Sequence, residues 1–340
     1  MRLLRYSSDY HGPLMLAVND IDPNLSIAHP PFLKHYYTGQ PWCTLFLAVD
    51  GDRVCGIVGV ESMPFVAGTA RWKIGFGSNF YSLISGVGGL LFLQWLRSCP
   101  YALVFGGSRD TKRIVTRQGW KLVHVARLYR INRTYINQPY ERAWRAFAKG
   151  VLRRIRRTAL LETPAPQGRN GKGRHLQVRE EDDHEADMFP SRSDFAMRLA
   201  PDVDYLRWRY ATGLSFVRYR IFRILEADRS VGYVVLNDGR ERVTVAHSDA
   251  EDAEQLAYGM VLACIAVTRN DAKPRELMIA ASHPVVQQIL VSFGLRPDRR
   301  DRMLAIGRLR GRVDLPSGHW LINAGWGDND LRRPFLDETI

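Results

Sequence analysis

The chain has 340 residues, of which 46% are hydrophobic and 24% charged. That length holds about two domains of roughly 100 to 200 residues each, and the composition excludes a disordered chain or a collagen-like repeat. The formal net charge of +13 is uneven: residues 1–150 carry 18 Lys and Arg against 8 Asp and Glu. An anionic partner is expected from that excess, either a phosphorylated cofactor, nucleic acid or an acidic membrane surface, with a purely solubilising role as the alternative.

The richest apolar run, residues 87–96, contains Gly and Gln and falls short of the ~18 residues a spanning helix requires. Residues 1–10 carry Arg2 and Arg5 without an apolar stretch behind them, so no secretory leader is expected and the cytoplasm is the expected address. Cys43, Cys55, Cys99 and Cys264 form no CxxC pair, which argues against a disulfide framework or a structural zinc and for small buried side chains.

In chain order, residues 2–6 read as a strand, and the stretch with Leu14, Leu16 and Val18 as either strand or helix. Residues 44–49 and 53–60 flank Asp50-Gly51-Asp52 as a hairpin. Residues 72–84 are extended and end at Ser85-Gly86-Val87-Gly88-Gly89, before a buried helix over 90–97. A buried strand over 102–105 leaves through Gly106-Gly107-Ser108, a polar helix over 110–118 stops at Gly119, and residues 121–131 form a last strand.

The same order recurs further on. Residues 176–179 read as a strand, 180–199 as a helical region, and 219–227 with 231–237 as a hairpin around Asp228-Arg229-Ser230. A strand over 242–247, a helix over 251–268, a strand over 276–281, a helix over 284–292 stopped by Gly294, and a strand over 301–306 follow. The expected architecture is therefore α/β with mixed sheets: two tandem copies of one fold, over residues 1–138 and 174–340, the second with an acidic tail.

The joint, 139–173, holds a predicted helix over 140–160. Trp144, Phe147, Val151, Leu152 and Ile155 share one stripe while Arg142, Arg145, Lys149, Arg153, Arg154, Arg156 and Arg157 take most other positions. Such a helix suits either an anionic membrane surface or a place between the lobes with a solvated basic side. Residues 165–172 read as a flexible linker.

The strand, Gly turn, helix, strand order resembles the GCN5-related acyltransferase family. The residues that carry the resemblance are Ser85 to Gly89 before the apolar helix, and Ile114 to Trp120 with its Gly119-Trp120 ending. In the second half they are the hairpin over 222–237 and the stretch 289–295 with Gly294. The resemblance implies an acyl-coenzyme A co-substrate, such as acetyl-CoA. Asp204 to Tyr210 and the stretch from Gly318 to Asp330 look like bacterial two-domain members associated with cell-surface polysaccharide synthesis, which implies a sugar or sugar-nucleotide acceptor.

Amides at the start of a helix lack intrahelical acceptors and sit at the positive end of the helix dipole, so they suit pyrophosphate oxygens. Gly86, Val87, Gly88, Gly89 and Leu90 are the expected phosphate cradle, a tight turn before a packed helix being the plainer reading. In the resembling family two parallel strands splay near the Gly106, Gly107 and Ser108 exit, and the thioester arm lies in the opening.

Three departures count against a full match. Ile84-Ser85 stands where a basic or Gln residue usually opens the phosphate loop, and Val115 and Leu290 stand where a Tyr would protonate the departing thiolate. The second half has Asp249, Glu251 and Asp252 in place of a Gly-rich turn, which suits a helix cap and repels phosphate, so any coenzyme is expected in the first lobe.

For a general base the candidates are His247 and Asp249, with Tyr81 a polar candidate at the end of its strand. Trp208, Arg209 and Tyr210 offer flat faces and a fork-shaped cation for a sugar, adenine or phosphate; the alternative is an anchor between lobes with Arg209 paired to an acid such as Asp328 or Asp330. The expected activity is acyl transfer to an amine or hydroxyl without a covalent enzyme intermediate. The alternatives are an aminoacyl-tRNA-dependent transferase of the peptidoglycan-bridge type and a non-catalytic binding protein with this fold.

Overall fold

The computed structural model describes residues 1–107, 109–123, 127–131, 175–269, 271, 275–298, 303–311, 313–326, 331 and 335–338. The basic helix and linker expected over 139–173, and Ser108, Asp328 and Asp330, lie outside the described residues.

The chain opens with β1 (Arg2–Arg5) and α1 (His11–Ile21), where Leu14, Ala17 and Val18 share the buried side, so the helical reading of this stretch holds. α2 (Pro30–Tyr37) starts on two prolines, whose fixed φ suits a first turn. The antiparallel strands β2 (Cys43–Asp50), β3 (Arg53–Ala67) and β4 (Ala70–Ser82) follow, turning at Gly51 and Gly68, both at positive φ. α3 (Val87–Ser98), β5 (Tyr101–Phe105), α4 (Arg109–Arg117), β6 (Lys121–Leu122) and β7 (Arg127–Ile131) complete the first half.

The second half has β8 (Leu176–Glu181), β9 (Arg198–Leu199), α5 (Val203–Arg209), β10 (Tyr219–Glu226), β11 (Arg229–Asp238), β12 (Arg242–Ala250), α6 (Ala253–Thr268), β13 (Glu276–Ala281), α7 (Pro284–Ser292), β14 (Arg296–Pro297) and β15 (Leu304–Gly307). Three expectations need correction. The strand expected over 121–131 is two, β6 and β7, and they join different sheets. The helical region over 180–199 is absent apart from one 3-10 turn, Ala186–Met188: Phe195, Met197 and Leu199 are buried alternately, which is the period of an extended chain, and Arg198–Leu199 pairs with β3. The hairpin turn falls on Ala227 and Asp228, at φ 48° and 66°, rather than on residues 228–230.

Among the described residues the strands form two mixed sheets. One runs β1-β2-β3-β4-β5-β15-β6 with β9 beside β3; the other runs β14-β7-β13-β12-β11-β10-β8. Each sheet has one parallel pair, β4 with β5 and β12 with β13. Each also takes a strand from the other half of the chain. β15 lies antiparallel to β5, from Leu304↔Phe105 to Gly307↔Ala102, and β7 lies antiparallel to β13, from Leu277↔Ile131 to Ala281↔Arg127. A division of the sequence into two halves therefore does not divide the sheets, since β7 and β15 each pair with a strand of the other half.

α3 covers one side of the first sheet through Val87, Leu91, Phe92 and Trp95, and α6 and α7 cover one side of the second. The other sides of both sheets share a single core with α1, α2, α5 and with Trp320, Ile322, Trp326, Leu331 and Phe335. Because the exchanged strands make each half incomplete alone, urea unfolding should show one cooperative transition, with fluorescence and far-UV circular dichroism coincident. Residues 1–138 expressed alone should fail to fold; two separated transitions or a folded 1–138 fragment would contradict the exchange.

Candidate functional site

β4 and β5 stay paired for three residues, from Ile74↔Tyr101 to Phe76↔Leu103, and then part. Beyond that point Gly77 to Tyr81 are half exposed. Two local features shape this opening. A Cβ on Gly77 would lie 2.7 Å from the Trp95 ring, so the indole can sit under the strand only because no side chain is there. The ladder to β3 then jumps from Gly59↔Ser78 to Ile57↔Tyr81, a bulge centred on Asn79, whose φ is 46°. A left-handed Asn in a strand is uncommon and re-aims the side chains around it.

Asn79 Nδ2 donates to the Tyr37 hydroxyl at 3.0 Å, and that hydroxyl and Ser78 Oγ share a 3.3 Å hydrogen bond. α2 thereby sets a neutral polar cluster beside the bulge. Gly59 leaves room for it, since a Cβ there would stand 2.4 Å from the Tyr37 oxygen. Tyr81, on the far side of the bulge, is half-buried against the shared core. Sequence reasoning missed Tyr37; the polar Gly77-Ser78-Asn79 interruption of an otherwise β-prone strand was the available signal for this end of the site.

β4 leads through residues 83–86 into α3. Ser82 Oγ donates to the Ile84 carbonyl at 2.7 Å, and Gly86, at φ 85°, is the N-cap. A Cβ on Gly86 or Gly89 would meet nothing within 4 Å, and one on Gly88 only Ser82, at 3.7 Å. This space is open to an anion at the helix start. Val87 is buried with α3 and offers only its backbone, while Leu90 is 43% exposed. The start of α3 thus has room for an anion; the Gly89 N–H is already given to the Gly86 carbonyl at 3.2 Å, which leaves the Gly88 amide as a donor there. At the end of β5, Gly106 is buried with its N–H on the Met303 carbonyl at 2.7 Å, and Gly107 is exposed at φ 97°. Val115, where a thiolate-protonating Tyr was sought, is fully buried core.

His247 and Asp249 require correction as bases for an outside substrate, because both are sealed in β12 at 1% and 3% exposure. His247 Nε2 shares a 2.9 Å hydrogen bond with the Tyr233 hydroxyl and its ring stacks on Tyr210, while Nδ1 has no partner among the described residues. Burial, with His184 and Arg209 nearby, holds its pKa down at about 3. Burial also pushes the Asp249 carboxyl up to about 6 against the opposing pull of its ion-pair partner Arg198.

Trp208, Arg209 and Tyr210 likewise form no exposed platform. Arg209 is 1% exposed; its Nε lies 3.2 Å from Glu61 of β3, and it donates to the Tyr36 hydroxyl at 2.8 Å, the Tyr219 hydroxyl at 3.2 Å and the Gly325 carbonyl at 2.8 Å. The Tyr205 hydroxyl donates to the same carboxylate at 2.7 Å. Trp208 stacks on Trp42. The three residues are an anchor between lobes, with Glu61 as the acid, and their bulk left no room for a sugar or adenine. Among the described residues no group of His, Cys, Asp and Glu is placed to hold a metal ion, and no helix is long and apolar enough to cross a membrane.

No protein-family model and no curated protein sequence matches the chain. Solved structures do match in shape. A GCN5-related N-acetyltransferase from Anabaena variabilis superposes with a TM-score of 0.55 at 9% identity, covering 90% of this chain and 72% of that one. A putative acetyltransferase from Pyrococcus horikoshii gives 0.53 at 11% identity over 94% of both chains. A tandem GNAT protein from the clavulanic acid biosynthesis pathway gives 0.51 at 10% identity, over 90% of this chain and 98% of that one. The fold is thus the mixed α/β fold of these acetyltransferases, present twice, in agreement with the tandem arrangement expected from the sequence.

Two outcomes test this description. Arg209→Ala leaves Glu61 buried without its cation and should cost about 3–5 kcal/mol in urea unfolding; a loss below about 1 kcal/mol would contradict the anchor. The second is a pH effect. His184 and His247 are neutral in the folded protein, with pKa values lowered by burial to about 4 and about 3, so the unfolded chain takes up protons first as pH falls below 6.5. Stability should then drop by up to about 1.4 kcal/mol per pH unit for each histidine. Asp249, raised to about 6, works in the opposite sense between about 6 and 3.8 and offsets one of them. Urea midpoints should fall between pH 6.5 and 4.5, less steeply in a His184→Asn, His247→Asn variant; equal slopes would refute the burial.

Proposed function

We propose that this chain is an acyl-CoA-dependent acyltransferase with its donor site in the first lobe. The observation that carries this reading is the open cradle at Gly86, Gly88 and Gly89, continuous along β4 with the half-exposed edge that begins at Gly77. The acetyltransferase fold of the structural neighbours supports it. When bound, coenzyme would supply a thioester whose carbonyl carbon accepts the acceptor's nitrogen or oxygen as the C–S bond breaks.

The chain's own part is positioning. The Gly88 amide at the start of α3 holds the diphosphate, and the half-exposed edge of β4 aligns the arm so that its reactive end meets the bulge at Asn79. Tyr37, Ser78 and Asn79 orient the acceptor's hydroxyl or amine there through neutral hydrogen bonds. With His247 and Asp249 sealed away, the acceptor proton leaves to solvent or through these hydroxyls. A sugar acceptor from surface polysaccharide synthesis rests on sequence resemblance alone, and a membrane-adjacent setting for residues 140–160 rests on their basic, amphipathic pattern.

A thermal-shift titration tests the donor site. Acetyl-CoA or coenzyme A at about 100 times Kd should add about 2.7 kcal/mol of stability and raise Tm. Gly88→Glu places a carboxylate in the cradle and should abolish the shift while leaving the Tm without coenzyme within a few degrees. No shift with the unaltered chain, or an undiminished shift in Gly88→Glu, would refute the assignment.

A further inference from the structure

The second lobe repeats the opening of the first. β12 and β13 pair from Arg242↔Glu276 to Thr244↔Met278 and then part, and β12 has its own register shift opposite Val235 and Leu236. Exposure separates the two openings. Every residue of β12 from Val243 to Ala250 is buried, whereas Gly77 to Tyr81 of β4 are half exposed.

Residues 319–326 of the same chain fill the second opening. The Gly325 N–H donates to the Ala246 carbonyl at 2.8 Å, and Asn323 Nδ2 to the Ser248 carbonyl at 3.3 Å, so the segment runs antiparallel to β12. Ser248 Oγ donates to Asn323 Oδ1 at 3.0 Å. At the other end, Ser282 Oγ, just past β13, donates to the Trp320 carbonyl at 2.5 Å, and the Leu321 N–H donates to Met197 at 2.9 Å. Leu321 packs on the α6 and α7 side, Trp320 and Ile322 in the shared core, and Ala324 against Met278 and Ala280 of β13. The segment is extended rather than a full strand: its backbone bonds run to Ala196 and Met197 at one end and to Ala246 at the other, and its side chains reach both sides of the sheet. Gly325 is required by the fit: a Cβ would stand 2.6 Å from the Ala246 oxygen and 2.6 Å from the Tyr210 hydroxyl.

The start of α6 is filled from within as well. Asp252 caps it, accepting from the Gln255 N–H at 2.8 Å, where α3 has only glycine.

We propose that the second opening is a groove for extended chain whose resident ligand is the segment 319–326. The protein's own backbone and the Asp252 carboxylate take the places that an arm and an anion would take, so the second lobe is a self-liganded scaffold and each chain has one donor site. The count of donor sites rests on the coenzyme reading above; the occupancy of the groove does not.

Hydrogen exchange read by mass spectrometry on the full chain tests the occupancy. Peptides covering 319–326 should exchange at least ~100-fold more slowly than the same sequence as a free peptide, and as slowly as those covering 243–250. Exchange at the free-peptide rate would overturn the proposal. Gly325→Val should speed exchange in both segments together, and Asn323→Ala, a milder change, should do so to a smaller degree; acceleration of 319–326 alone would overturn it. Calorimetric titration with coenzyme A tests the count: one site per chain, lost in Gly88→Glu, is expected. Two sites, or one that survives Gly88→Glu, would overturn the single-site claim, while no site in the unaltered chain would refute the coenzyme reading and leave the exchange result standing.

Discussion

A strand that leaves its neighbour part-way along a sheet exposes a row of peptide N–H and C=O groups, and each of them needs a partner in water, in protein or in a ligand. This chain meets that requirement at two equivalent places in two ways. Past Phe76 the edge of β4 is half exposed, while past Thr244 the edge of β12 is covered by the chain's own residues 319–326. The first solution keeps a site accessible, and the second spends the same geometry on stability. The ends of α3 and α6 repeat the contrast, with open glycines at one and a capping Asp at the other.

The two places are mechanically joined. β7 and β15 lock each sheet to the other half of the chain, and Arg209 joins Glu61 and Tyr36 of the first half to Gly325 of the second. Tyr36 is next to Tyr37, whose hydroxyl meets Asn79 at the bulge. The filled groove of the second lobe thus braces the helix that carries the polar cluster of the first. Burying an ion pair in this way costs desolvation, which its several hydrogen bonds offset.

Much of the fold could be read from residues. Both hairpins, the apolar helix after Ser85 to Gly89, and the short helices stopped by Gly119 and Gly294 follow from local pattern and turn chemistry, and so does the repeated order. The strand exchange could not be read, because a period of two states which side of a strand is buried and not which strand lies beside it. The stretch 180–199 misled because alternation in Phe195, Met197 and Leu199 is short and mixed with polar residues. In the site, Gly86 and Gly89 are exposed and Gly88 half-buried, which leaves the expected cradle open without showing what occupies it. His247 and Asp249 have chemistry suited to a base, but Tyr210, Tyr233 and Arg198, from other elements, enclose them. Of the two readings of the Trp208-Arg209-Tyr210 run the anchor holds, with Glu61 as its acid; pattern could not choose between them, since aromatic and Arg side chains serve core anchors and ligand platforms equally well.

The central claim is that one opening receives a ligand and the other is closed by the protein itself. A crystal structure of the chain grown with acetyl-CoA tests it most directly. Diphosphate oxygens are expected within hydrogen-bond distance of the Gly88 amide, with the thioester beside Asn79 and residues 319–326 unmoved along β12. Coenzyme lodged between β12 and β13, with Trp320 and Gly325 displaced, would contradict it.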